Sequence, residues 1–215
     1  MSTSLVYRSA VGYELVMRAL YGRHYGDRLR AVAEEVPDGA TVLELCCGPG
    51  TLYNRFLRGR IRSYTGLDVN EGFVARLRQQ GVDARVVDLG SSADPLPRAD
   101  VVVMQASLYH FLPRAGEIVE RMLEAADRRV VVSEPVRNLA SSENPVLGML
   151  GRRAADPGVG RSERRFTEET LDALMSRYRE LVLLERLIPG GREKLYVLRA
   201  PAPRSPRRSD TADGS

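Results

Sequence analysis

Two spacings of apolar residues alternate along this chain. Short runs rich in Val, Leu and Ile fill residues 41–45, 63–69, 83–89, 100–105 and 129–133. Each is short, β-branched and bounded by turn residues, which predicts a strand. Between them, residues 51–58, 72–80 and 116–126 carry apolar positions three and four apart, for example Ile118, Val119, Met122 and Leu123. That spacing predicts helices. Strands apolar on both faces, alternating with helices, predict a parallel sheet covered on both sides.

The two ends follow different patterns. Residues 4–22, then Tyr25, Leu29, Val32, Ala33 and Val36, fall at helical spacing and predict an N-terminal helical cap over residues 1–37, stopped by Pro37-Asp38-Gly39. Residues 38–200 then form the core. Thr167 is placed to cap a helix running to about Tyr178. Residues 180–188 and 193–200 read as strands of a hairpin joined by Pro189-Gly190-Gly191-Arg192. Residues 135–166 are Pro- and Gly-rich and predict a lid insertion, and residues 201–215 are nearly devoid of apolar side chains and predict disorder. The fold class expected is α/β and doubly wound: a mostly parallel seven-stranded sheet with a C-terminal antiparallel hairpin and the helical cap.

In an open parallel sheet a ligand sits beyond the carboxyl ends of the strands. The first strand ends in Glu44 and runs into Cys46-Cys47-Gly48-Pro49-Gly50, a tight turn that lets backbone approach a nucleotide-like ligand. The second ends in Asp68-Val69, roughly 20 residues past the turn, where a carboxylate can accept both hydroxyls of a ribose. The third gives Asp88-Leu89, with a carboxylate placed to accept from an adenine amino group. The fourth leads into Gln105, Tyr109 and His110, and the fifth ends in Glu134.

This ordered set resembles the class I S-adenosylmethionine-dependent methyltransferases of the small stand-alone kind. The family's first motif, acid-x-Gly-x-Gly-x-Gly, stands here as Glu44-Leu45-Cys46-Cys47-Gly48-Pro49-Gly50, with Cys46 in place of the first glycine. The resemblance covers roughly residues 20–200 and implies a Rossmann-like sheet whose last strand is inserted antiparallel. It implies S-adenosyl-L-methionine as cofactor, S-adenosyl-L-homocysteine as product, and Tyr25, Glu44, Cys46, Gly48, Gly50, Asp68, Val69, Asp88, Leu89 and Gln105 around them. His110 becomes the candidate base, with Tyr109 positioning the acceptor. A histidine after a strand also serves simply to satisfy backbone groups, and Tyr25 serves equally as a core contact of the cap. Glu134 either caps the turn that follows or faces the substrate. Arg152, Arg153, Arg161, Arg164 and Arg165 either face solvent or meet an anionic group.

Composition narrows the partners. At 215 residues, 43% apolar and 28% charged, the chain is most simply one soluble domain. No apolar run approaches the ~20 residues of a membrane span, and residues 1–8 lack a signal-peptide pattern. The adjacent Cys46 and Cys47 read as small turn fillers in a reducing cytoplasm. Net charge is +4, but the 32 basic residues, all arginine except Lys194, are interleaved with acids, a weak footprint for nucleic acid. Gln105 stands where metal-dependent relatives carry an acid, so no metal is expected. The expectation is a cytoplasmic enzyme, monomer or homodimer, methylating O or N of a small molecule in biosynthesis. Two rivals share the pattern: a non-catalytic binding or regulatory subunit, and a nicotinamide-dependent oxidoreductase, though the turn lacks a full Gly-x-Gly-x-x-Gly.

Overall fold

Seven strands form one sheet in the order β3-β2-β1-β4-β5-β7-β6 in the computed structural model, which describes residue 18, residues 22–137 and residues 165–201. They are β1 (Thr41–Leu45), β2 (Ser63–Asp68), β3 (Asp83–Val86), β4 (Ala99–Gln105), β5 (Ala126–Pro135), β6 (Val182–Leu187) and β7 (Glu193–Arg199). The first five run parallel, and β7 lies antiparallel between β5 and β6. Among the described residues, α-helices run over α1 (Tyr25–Ala33), α2 (Glu71–Gln79), α3 (Ala115–Ala125) and α4 (Glu168–Met175). This is the expected Rossmann-like sheet with its antiparallel C-terminal pair. The first N-terminal segment, most of the lid and most of the tail lie outside the described residues.

The strands alternate side chains between two cores because successive residues point to opposite faces. Leu43, Leu45, Val102, Met104, Val130, Val132, Tyr196 and Leu198 pack with α3 and with Leu171 and Met175 of α4. Val42, Val101, Val103, Val131, Leu195 and Val197 pack on the other face with Tyr25, Leu29 and Val32 of α1. Burial on both faces is why the central strands read as unbroken apolar runs. Arg28 of α1 reaches beneath this layer, donating from Nε to Glu193 Oε1 at 2.8 Å, while Ser133 Oγ donates to Glu193 Oε2 at 2.9 Å. The buried pair ties the cap helix to the end of β5.

Several boundaries differ from expectation for visible reasons. β3 stops at Val86, short of Leu89: the Val87 N–H makes the last ladder bond, to Asp68 O at 3.0 Å, and β2 ends at Asp68. The segment after β1 is wound into a π-helical turn over Tyr53–Leu57, closed by Arg58 N–H to Tyr53 O at 2.8 Å, rather than a regular helix. α4 ends at Met175 and continues as a 3-10 turn over Ser176–Leu181, while its start is Thr167 as expected, in a reciprocal cap with Thr170.

Topology fixes where a ligand can bind. From β1 the chain moves outward to β2 and β3, then crosses back to β4 on the other side. The connections after β1 and β4 leave in opposite directions, opening a crevice between their carboxyl ends. Leu45 and Met104 are register neighbours there, so Cys46 and Gln105 follow directly at its lip.

Candidate active site

The turn beyond β1 is built on left-handed backbone. Cys46, Gly48 and Gly50 have φ of 53°, 55° and 72°. Cys46 therefore occupies, with a side chain, a conformation that costs a non-glycine residue roughly 1–2 kcal/mol. Ala106, just past β4, shares it at φ 47°. Two residues in left-handed conformation thus follow the carboxyl ends of the adjacent strands β1 and β4, the kind of clustering seen at functional sites. The two glycines have different reasons to be glycine. A Cβ on Gly48 would project into open space, whereas one on Gly50 would meet Leu77 Cδ2 at 2.5 Å. Gly50→Ala is expected to destabilise the fold by roughly 1–3 kcal/mol through this overlap and the positive φ. A chemical-denaturation midpoint at or above the wild-type value would contradict it.

Asp68 closes the turn from the neighbouring strand. Its Oδ2 accepts the Gly48 N–H at 2.7 Å and its Oδ1 the Asn70 N–H at 2.8 Å. Burial raises its carboxyl above the ordinary range, against the pull of these backbone donors. Glu44 lies deeper, accepting from Tyr64 Oη at 2.7 Å and from Gln105 Nε2 at 3.0 Å. Burial lifts it to about 7, Tyr64 and Gln105 oppose that, and Asp68 adds to it. Burial and the carboxylates of Asp68, Glu134 and Glu44 push the Cys46 thiol up, so it stays neutral. Glu44, Cys46, Gly48, Asp68 and Gln105 thus gather at the carboxyl ends of β1, β2 and β4, with Asp68 bonded to Gly48 and Gln105 to Glu44. Gln105 Oε1 and Glu134 Oε2 are buried there without a partner.

The third-strand residues sit at the same edge in a different role. Asp88 is exposed and accepts the Gly90 N–H at 2.9 Å, holding the turn after β3, while Leu89 joins the core. Val69 is 46% exposed, leaving its side chain open beside Asp68. Tyr25 begins α1 and is buried, with Arg55 Cζ 5.9 Å from its ring centroid.

Tyr109 and His110 lie on the short turn Leu108–Phe111 beyond β4, ring centroids 4.0 Å apart. His110 faces a cleft of about 690 Å³ walled by Leu89, Gly90 and the loop that follows. Burial and the Arg165 guanidinium hold its imidazole down at about 4. It is neutral at neutral pH, free to accept a proton, and a weak base. What pattern-reading left open was Glu134. Its Oε1 accepts the N–H groups of Ser107 and Leu108, both at 2.6 Å, so it pins the turn that carries Tyr109. Tyr64 and Ser107 carry no signal of a site in the sequence; Ser107 Oγ donates to Gln105 O at 2.9 Å. A tyrosine inside a strand and a serine after one are too common to signal a site.

With this geometry, comparison with known proteins is informative. Residues 42–129 match the model of a methyltransferase domain family. A trans-aconitate 2-methyltransferase of Mycolicibacterium gilvum is 38% identical over 104 residues, 46% of this chain and 38% of that protein. The chain thus spans little more than a third of that relative's length. Among solved structures, magnesium protoporphyrin IX methyltransferase of Synechocystis PCC 6803 with bound SAH superposes with a TM-score of 0.60 at 15% identity, covering 91% of this chain and 97% of that one. A chain of the Haloferax volcanii complex with the Trm112 methyltransferase activator gives 0.67 at 14%, covering 94% and 100%. The central segment is thus similar to a methyltransferase domain, and the fold is shared with these solved structures. Among the described residues no helix is long and apolar enough to cross a membrane, and no three His, Cys, Asp or Glu side chains gather as a metal site.

Proposed function

We propose that this chain transfers a methyl group from S-adenosyl-L-methionine to oxygen or nitrogen of a small-molecule acceptor, leaving S-adenosyl-L-homocysteine. The observation that carries the reading is the group at the β1/β4 crevice: Asp68 accepts from the Gly48 N–H, Gln105 donates to Glu44, and open space lies beyond the Gly48 Cα, the methyl-donor hollow of this proposal. Its residues fit the cofactor. Asp68 retains lone pairs for ribose hydroxyls after accepting two backbone N–H groups. Gln105 Oε1, buried and unpartnered, suits the methionine ammonium, and Glu44 holds its amide in that orientation. The bare Gly48 leaves room for backbone to approach. Cys46 is small enough to line the turn. Asp88, Leu89 and Val69 stand where an adenine would lie, and Tyr25 caps from α1.

When bound, the cofactor supplies a methyl group activated by its sulfonium. The chain's own task is then alignment and exclusion of water. Glu134 fixes the turn bearing Tyr109 and His110, so the acceptor meets a rigid wall. His110 takes the acceptor's proton where the nucleophile must lose one. The small-molecule assignment is supported by the acceptor named for the Mycolicibacterium gilvum relative and by the modest, interleaved surface charge.

Calorimetric titration separates the readings. S-adenosyl-L-methionine and its demethylated product are expected to bind, and NADH to leave the protein unchanged. NADH binding without the methyl donor would overturn the proposal in favour of an oxidoreductase. Cofactor binding with no methylated product from any acceptor would instead indicate a binding subunit.

A further inference from the structure

Arg165 holds an unusual position among the arginines of this chain. Its guanidinium carbon lies 3.8 Å from the centroid of the Tyr109 ring, which in turn rests against His110. Arg28, Arg60, Arg62, Arg98, Arg129 and Arg186 each have a carboxylate partner. Among the described residues no carboxylate pairs with Arg165. It is nonetheless half-buried, and the Phe166 that follows it is in the core. Stacking uses only the face of a guanidinium. The in-plane N–H donors remain available, and the ring beneath holds them in a fixed orientation.

The platform below is rigid. Tyr109 is buried, and the turn leading to it is held by Glu134 through the Ser107 and Leu108 N–H groups. Ser107 reaches the crevice through its bond to Gln105 O. The stacked cation therefore stands on the same short turn that borders the methyl-donor hollow.

We infer that Arg165 anchors the methyl acceptor, and that the acceptor carries a carboxylate gripped by the in-plane fork of the stacked guanidinium. This deepens the methyltransferase reading and rests on it. The fork presents two parallel donors, matching the two coplanar oxygens of a carboxylate. His110 beside it is neutral and adds no second charge, so a monoanion is the better electrostatic match than a phosphate dianion. An uncharged amide of the same shape offers one acceptor and two donors, and the donors would oppose the guanidinium N–H groups.

Acid and amide pairs test this on the full chain loaded with S-adenosyl-L-homocysteine. Benzoate, cinnamate and glutarate, each beside its amide, are titrated with binding read by saturation-transfer NMR. At least one acid is expected to bind while its amide does not. Arg165→Gln should weaken that acid about fivefold or more, the scale of a lost charge-assisted bond. Arg165→Lys, which keeps the charge and loses the fork, should fall between. S-adenosyl-L-homocysteine affinity should stay within about twofold in both, because neither variant touches the hollow. The inference is overturned if no acid binds the loaded protein, if acid and amide bind alike, or if Arg165→Gln weakens the acid less than fivefold. Failure of the protein to take up S-adenosyl-L-homocysteine at all would strike the methyltransferase reading instead, which distinguishes the two failures.

Discussion

Replacing Asp68 with alanine is expected to weaken S-adenosyl-L-homocysteine binding by roughly 5- to 150-fold, the 1–3 kcal/mol of a hydrogen bond to a charged group. Two effects combine. The ribose loses its acceptor, and the Gly48 N–H loses the carboxylate that holds it at 2.7 Å. The second effect is structural and also appears as a lower denaturation midpoint. Asp68→Asn shows that charge and acceptor number matter beyond size. Its single carbonyl oxygen can serve only one of Gly48 and Asn70, while its amide nitrogen cannot accept from the other. Asparagine should therefore lose affinity as well, despite its near-identical size. Calorimetry gives the affinity and thermal melting the stability. Unchanged affinity in a folded Asp68→Ala protein would mean the ribose sits elsewhere.

The cofactor-free protein is expected to lose stability as pH rises from about 6.5 to about 8. Glu134 is fully buried, and burial, helped by Glu193, lifts it from 4.5 to about 8. Glu44 is lifted from 4.5 to about 7. In the unfolded chain both carboxyls have released their protons by pH 6, while in the folded chain both still hold them in part. The native state then binds more protons, so raising the pH favours unfolding. Each group contributes a slope of up to roughly 1.4 kcal/mol per pH unit until its folded value is passed. His110 acts in the opposite sense, since its native imidazole is depressed to about 4 against an ordinary 6.5. Its contribution is complete by about pH 6.5, which leaves the carboxyls dominant above it. Glu134→Gln mimics the protonated form and keeps an oxygen for the Ser107 and Leu108 N–H groups. That variant should flatten most of the decline between pH 7 and 8. Denaturant midpoints across this range provide the measurement. A stability that stays level or climbs with pH, or a Glu134→Gln protein with the wild-type slope, would show that these carboxyls are ionised in the fold.

Both results depend on contacts between elements distant in the chain. Gln105 reaches Glu44 across 61 residues, and Glu134 reaches Ser107 across 27. Asp68 was legible as a ligand-facing acid from its place at the end of β2. Its grip on Gly48, 20 residues earlier, was not. Cys46 was legible as a departure from glycine, yet its positive φ belongs to the folded turn. Asp88 illustrates the opposite case. The carboxylate assigned to an adenine also holds its own local turn through Gly90, an ordinary use of aspartate that pattern alone could not separate.

His110 shows how far residue type carries. An imidazole after a strand suggests a base because free histidine titrates near neutrality. In the fold, burial and the Arg165 cation hold the imidazole down at about 4, so a ring packed on Tyr109 accepts a proton as a weaker base than free histidine. Arg165 itself was one of five arginines with nothing to distinguish it by sequence. Its partner ring lies 56 positions earlier by residue number.

The order of strands and helices, the parallel sheet with its antiparallel final pair, the glycine turn and the acid after β2 were determined by the sequence itself. Each rests on local periodicity or on backbone freedom, which neighbouring residues set between them. Only the tertiary structure decided which carboxyls are buried, with their pKa pushed up, which arginine stacks on Tyr109, and which side chains hold the turn beyond β4. Those properties arise from desolvation and from contacts across the sheet, and no spacing along one strand encodes them.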